Sequence, residues 1–167
     1  YNTLMVGDDT AIVIEPLNGY RSKEHVPTNI GEFRIPLGIP EIVREGKDLT
    51  IVSYGSTFNI CEQAAKQLEA EGLSVELINI HTIKPLDAEA VLKSVAKTKC
   101  AVVCEEHNRI GGLGSSIALL LAQEQPTPIE YVAVNDSFGE SGTPDQLLAK
   151  YGLDTVDVLN AVRKVVK

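Results

Sequence analysis

Three neighbouring residues, Glu105-Glu106-His107, carry the most direct chemical potential in the chain. An imidazole beside carboxylates is the usual material of a general acid–base group, because the carboxylate raises and orients the ring. In an extended strand Glu105 and His107 would share one side. A histidine at a strand end is also a common structural hydrogen-bonding residue, so catalysis by His107 with Glu105 is the weaker of the two readings. Just downstream, Gly111-Gly112-Leu113-Gly114 runs into Ser115 and Ser116. A glycine-rich turn opening a helix leaves backbone N–H groups free for an anion. The spacing fits neither a phosphate loop nor a dinucleotide fingerprint, no lysine follows, and the acidic pair alongside discourages phosphate. Close helix–strand packing, or approach by another chain, is the better use of these glycines. Ser56 and Ser115 lack the elbow motif of a hydrolase nucleophile. His81 and His107 lack a third fixed ligand for a metal site.

These residues need a frame, and the pattern supplies one from about residue 47 onward. Continuous apolar runs at 49–55, 74–80, 99–106 and 128–134 read as buried strands. Helical periods fill the gaps. The first helix starts at Ser56 or Thr57 as cap, reaches about 71 and is closed by Gly72. A second follows the Asp87 cap, a third opens at Ser115 or Ser116, and two short ones run over 144–151 and 155–166, with Thr143 capping and Pro144 at the first helical position. Strand–helix alternation at spacings of about 25 residues means right-handed crossovers. The fold class is therefore α/β: a three-layer sandwich around a mostly parallel sheet of roughly five strands. In such sheets ligands sit beyond the C-terminal strand ends, where the residues above fall.

The front of the chain reads differently. Residues 10–16 look like one short buried strand stopped by Pro16, and 17–38 hold Pro27, Pro36 and three glycines without helical period. A lone strand and a crossing segment suit the end of a neighbouring domain. The chain begins with Tyr1, which fits a fragment or a processed chain.

The 167 residues are 44% hydrophobic, with 5% aromatic and no Trp, so the core must be aliphatic. A formal net charge of −8 argues against nucleic-acid binding, which needs clustered Lys and Arg. Cys61, Cys100 and Cys104 are too few and scattered for a disulfide framework. Cys100 and Cys104, about 13 Å apart along an extended strand, cannot share one metal ion. They read as core thiols of a reducing cytoplasm. No apolar run reaches the roughly 20 residues of a membrane span.

Three stretches in order resemble the C-terminal domain of transketolases: Ile51-Val52-Ser53-Tyr54-Gly55-Ser56; Glu105-Glu106-His107-Asn108 with Gly111-Gly112-Leu113-Gly114-Ser115; and Asp136-Ser137-Phe138-Gly139-Glu140-Ser141-Gly142 with Lys150-Tyr151-Gly152-Leu153. The front, Ile14-Glu15-Pro16-Leu17-Asn18-Gly19-Tyr20-Arg21 with Ile35-Pro36-Leu37-Gly38 and Val43-Arg44-Glu45-Gly46-Lys47-Asp48, resembles the beta part of 2-oxoacid dehydrogenase decarboxylating components, the branched-chain type above all.

The resemblance implies that residues 1–46 end a pyrimidine-binding domain and its linker, and that 47–167 form a transketolase C-terminal-like domain. It implies thiamine diphosphate and Mg2+ in the full enzyme, with none expected in this chain alone. The metal motif and the cofactor-activating glutamate of these families are not matched by Gly7-Asp8-Asp9 or Glu15. It further implies subunit packing through Gly111, Gly112, Gly114, Phe138 and Glu140, as a homodimer or an alpha/beta heterotetramer, with the acyltransferase core of a dehydrogenase complex as a further partner. By position, Arg21 is the candidate substrate contact. The implied activity is decarboxylation of a branched-chain 2-oxo acid with acyl transfer to lipoamide. The alternatives are ketol transfer between sugar phosphates and a non-catalytic assembly role.

Overall fold

A computed structural model describes residues 1–15, 19–20, 23, 26, 28–29 and 31–166. The chain separates into two compact units, Tyr1–Leu37 and Gly38–Lys167. The sequence pattern puts the break at residue 46; the intervening residues carry a strand that belongs to the second unit's sheet.

In the first unit, Leu4–Val6 forms one 3-10 turn. Asn2 Nδ2 donates to the Phe33 carbonyl (2.8 Å) and Thr3 Oγ1 to that of Ile35 (2.7 Å). The strand expected at 10–16 is corrected here: described residues 10–15 are in no strand, and Pro16 lies outside the described residues. Ile12 and Ile14 are 89% and 90% exposed. A strand needs a partner for its N–H and C=O groups, and the described part of this unit offers none.

The second unit follows the expected alternation closely. Its elements are β1 (Glu41–Arg44), β2 (Leu49–Ser53), α1 (Ser56–Ala70), β3 (Val75–Asn79), α2 (Ala88–Thr98), β4 (Ala101–Asn108), α3 (Leu113–Glu124), β5 (Ile129–Val134), α4 (Pro144–Tyr151) and α5 (Thr155–Val165). The sheet order is β1-β3-β2-β4-β5. Strands β2 to β5 are parallel, with Ser53 level with both Asn79 and Cys104. The one addition is β1, which pairs antiparallel with β3 and carries a register shift between Ile42 and Arg44. Four residues following Pro40 are too few to show a period, which is why the sequence pattern assigns them to the linker.

Two aliphatic layers cover the sheet, as continuous apolar strands require. On one side Cys61, Ala64, Ala65 and Leu68 of α1 and Val158, Leu159 and Val162 of α5 pack on Leu49, Ile51, Leu77 and Val102. On the other, Val91 and Val95 of α2 and Ile117 and Leu121 of α3 pack on Val52, Ile78 and Val103. Burying each such Val, Leu or Ile side chain contributes on the order of 1.5–3 kcal/mol. All three cysteines are buried and free. Cys104 is held far above the usual thiol range by its hydrogen bond to Cys61 and by burial.

The helix ends are set by local chemistry. Asp87 Oδ1 accepts the Ala90 N–H (3.0 Å) at the start of α2. Thr143 caps α4 and Pro144 takes its first position, as expected, and Gln146 completes a capping box. Gly72, at φ +91°, ends α1, with Leu73 N–H donating to the Leu68 carbonyl at 2.9 Å. At the other end of α1 the expected Ser56 or Thr57 cap is replaced by Gly55, which caps without a side chain. Thr57 Oγ1 donates to the Tyr54 carbonyl instead (2.8 Å), and Ser56 Oγ turns to Glu106 (2.6 Å). Among the described residues no helix is long and apolar enough to cross a membrane.

Candidate functional site

The connections leaving β2 and β4 diverge. The first enters α1 on one face of the sheet, and the second enters α3 on the opposite face. The two strands are adjacent, so their C-terminal ends form the topological switch point where open α/β sheets hold ligands. Tyr54, Ser56, Glu105, Glu106, His107 and the Gly111–Gly114 turn all belong to these two connections. Residues that the sequence pattern places at separate strand ends are brought to this one corner.

Glu105 is fully buried. Its carboxylate accepts the Leu113 N–H at 2.8 Å and the Gly114 N–H at 2.9 Å. Those are the first N–H groups of α3, the donors that an external anion would need. The helix N-terminus is therefore filled by the chain's own carboxylate. The glycines are required by this arrangement. A Cβ at Gly112 would land on the Glu105 carboxylate, and one at Gly114 would lie 2.7 Å from the Tyr131 ring. Gly111, at φ +82°, makes the turn that an L side chain would strain.

His107 is exposed, with Nδ1 3.0 Å from the Asn108 carbonyl. Among the described residues no hydrogen bond joins it to Glu105. The pairing expected from strand alternation does not form. Where β4 runs past Cys104 its register with β5 shifts, and Glu105 is drawn under α3 while Glu106 and His107 stay at the surface. His81, whose Nε2 is 3.6 Å from Glu41 Oε2, faces the β1 edge instead. Tyr54 sits near both glutamates. Burial first, then the charges of Glu105 and Glu106, push its hydroxyl above its usual value, so it stays protonated at neutral pH.

The loops after β4 and β5 are tied together. Asn108 Nδ2 donates to Asp136 Oδ1 and Arg109 NH1 to Asn135 Oδ1, each at 3.0 Å. The Arg109 guanidinium lies 5.4 Å from the centroid of the Tyr131 ring, a cation–π distance. Asn108 Oδ1 also accepts the Ile110 N–H at 2.9 Å, a local turn that sequence reading overlooks because asparagine at a strand end signals many things. Asp136 holds φ +43°, an uncommon conformation for a residue with a side chain.

From this frame the following loop presents Phe138, 99% exposed. The loop is held on α4 by Tyr151, whose hydroxyl donates to the Phe138 carbonyl at 2.9 Å. Glu140 is paired with Lys150. Ile110, on the neighbouring loop, is 67% exposed. The corner is thus a fixed, hydrogen-bonded frame carrying apolar groups outward. Arg21, the expected substrate contact, lies outside the described residues.

A second polar cluster, unmarked in the sequence reading, lies where β1 meets the sheet. Glu76 of β3 is buried, paired with Lys97 of α2, and accepts the Gly46 N–H at 3.3 Å. Burial pushes its carboxyl up, but hydrogen bonds from Lys97, Ser94 and the Gly46 backbone outweigh that and hold it below its ordinary value. A glutamate inside the apolar run at 74–80 is the signal that could reveal it: a charge at a buried strand position demands a partner.

The thiamine diphosphate that the resemblance implies for the full enzyme does not fit the corner. A diphosphate would meet Glu105 where it needs free N–H groups, and Glu106 beside them. Among the described residues no three His, Cys, Asp or Glu side chains are grouped to hold a metal ion.

Comparison with known proteins supplies the remaining observation. The family model described as transketolase, C-terminal domain, matches residues 38–158. A 6-deoxy-6-sulfo-D-fructose transketolase subunit, SqwH, of Clostridium sp. (strain MSTE9) is 41% identical over 129 residues, covering 77% of this chain and 40% of the relative. A pyruvate dehydrogenase E1 component subunit beta of Staphylococcus epidermidis is 36% identical over 135 residues, covering 78% of this chain and 41% of the relative. Among solved structures, a split gene transketolase described as an inactive beta4 tetramer superimposes with a TM-score of 0.77 at 44% identity, covering 84% of this chain and 46% of that one. The chain thus spans less than half the length of these relatives.

Proposed function

The chain belongs to the transketolase C-terminal domain family, and from that premise we propose that it is the subunit-packing domain of a larger thiamine-diphosphate enzyme, inactive on its own. The observation that carries the reading is the occupied N-terminus of α3: Glu105 takes the donors that a cofactor phosphate or substrate anion would use. What remains at the rim is a frame suited to contact. Gly111, Gly112 and Gly114 keep the helix start close to the sheet, and Phe138 and Glu140 sit on a loop anchored through Tyr151. An apolar ring on a fixed loop is the kind of anchor that loses little conformational entropy when a partner covers it.

In this reading residues 1–46 are the end of a pyrimidine-binding domain with its linker, and 47–167 the packing domain, in a cytoplasmic homodimer or alpha/beta heterotetramer. Thiamine diphosphate and Mg2+ would be bound by the rest of the enzyme, and Arg21, near the junction, would reach its substrate.

Two activities of the full enzyme have specific support. Ketol transfer between sugar phosphates is favoured by the 41% and 44% identities to a transketolase subunit and a split transketolase. Decarboxylation of a 2-oxo acid, with acyl transfer to lipoamide on a docked acyltransferase core, is favoured by the dehydrogenase relative, and the branched-chain type of acid by the front pattern from Ile14 to Arg21 alone. The test is the assembled enzyme, assayed for CO2 release from 3-methyl-2-oxobutanoate and for ketol transfer from a ketose phosphate. Activity in one assay assigns the family branch; activity in neither, with cofactor bound, overturns both readings.

A further inference from the structure

We draw no further inference here: the strongest candidate, the groove between β1 and α2 whose floor holds the buried Glu76 carboxylate, carries nothing because Lys97 and the Gly46 N–H already satisfy that carboxylate and nothing in the structure shows what covers the exposed Ile39 and Ile42 along its wall.

Discussion

Glu105 and Glu76 are both buried carboxylates in parallel strands of one sheet, yet they are stabilised in opposite ways. Glu105 rests on two backbone N–H groups at the start of α3. Its donors belong to the main chain and cannot rotate away. Glu76 leans on the Lys97 ammonium, a flexible side chain 42% exposed, with the Gly46 N–H at a longer 3.3 Å. Backbone donors fix geometry at the price of glycines close by; a lysine partner tolerates movement but ties the pair to pH. The first device fixes the start of α3 against the sheet. The second pins the short chain between β1 and β2 onto β3.

The sharpest way to break this contrast is Gly46→Ala. Its Cβ would fall on the backbone of Val75 and Glu76, which cannot give way without opening the β2–β3 ladder. The expected loss is about 4 kcal/mol or more, in the range reserved for severe core disruption. Urea denaturation reads it; a midpoint within error of wild type would show that the junction is looser than described.

Next in size is Glu105→Ala. It removes the acceptor of two N–H groups and leaves them facing a void, at an expected cost of about 3 kcal/mol. Glu105→Gln should recover part of that, because one amide oxygen still accepts while the NH2 opposes the second N–H. Equal stability of the two variants would mean that the carboxylate is not what holds the start of α3.

Smaller and pH-dependent is Lys97→Met. Removing one partner of a fully buried pair costs about 3–5 kcal/mol, but water can reach the half-exposed Lys97 position, so about 2 kcal/mol is expected at pH 7. In the wild-type protein the Glu76 carboxyl lies below its ordinary value of 4.5. Its stabilising contribution is therefore complete above about pH 4.5 and lost as pH falls through the lower folded value. In the variant the hydrogen bond from Lys97 is gone and burial raises the same carboxyl, so acid relieves it. The deficit should shrink between pH 7 and pH 3.5 when urea midpoints are compared at each. A deficit that stays constant would detach the pair from Glu76 ionisation.

The contrast also explains what could be read from the sequence. Several helix ends are legible from local punctuation: Gly72 ends α1, Asp87 starts α2, and Thr143-Pro144 start α4, whereas the starts of α1 and α3 fall on Gly55 and Gly112 in place of the serines and threonine expected to cap them. The switch-point corner was legible too, since strand ends follow from strand positions. The roles inside it were not. Strand alternation puts Glu105 beside His107, but the shift in the β4–β5 register and the attraction of an uncapped helix drew Glu105 under α3 instead. Edge strand β1 escaped because four residues hold no period, and the expected strand at 10–16 has no pairing partner among the described residues of its unit. Long-range pairing, in each case, decided what local pattern could not.

We propose that this domain packs subunits and carries no cofactor site of its own. The most direct test is calorimetric titration of thiamine diphosphate with magnesium into this chain, beside the same titration into the assembled enzyme. Heat of binding is expected only in the assembled enzyme. Tight binding by the chain alone would contradict the packing role, and would require Glu105 to leave the N-terminus of α3.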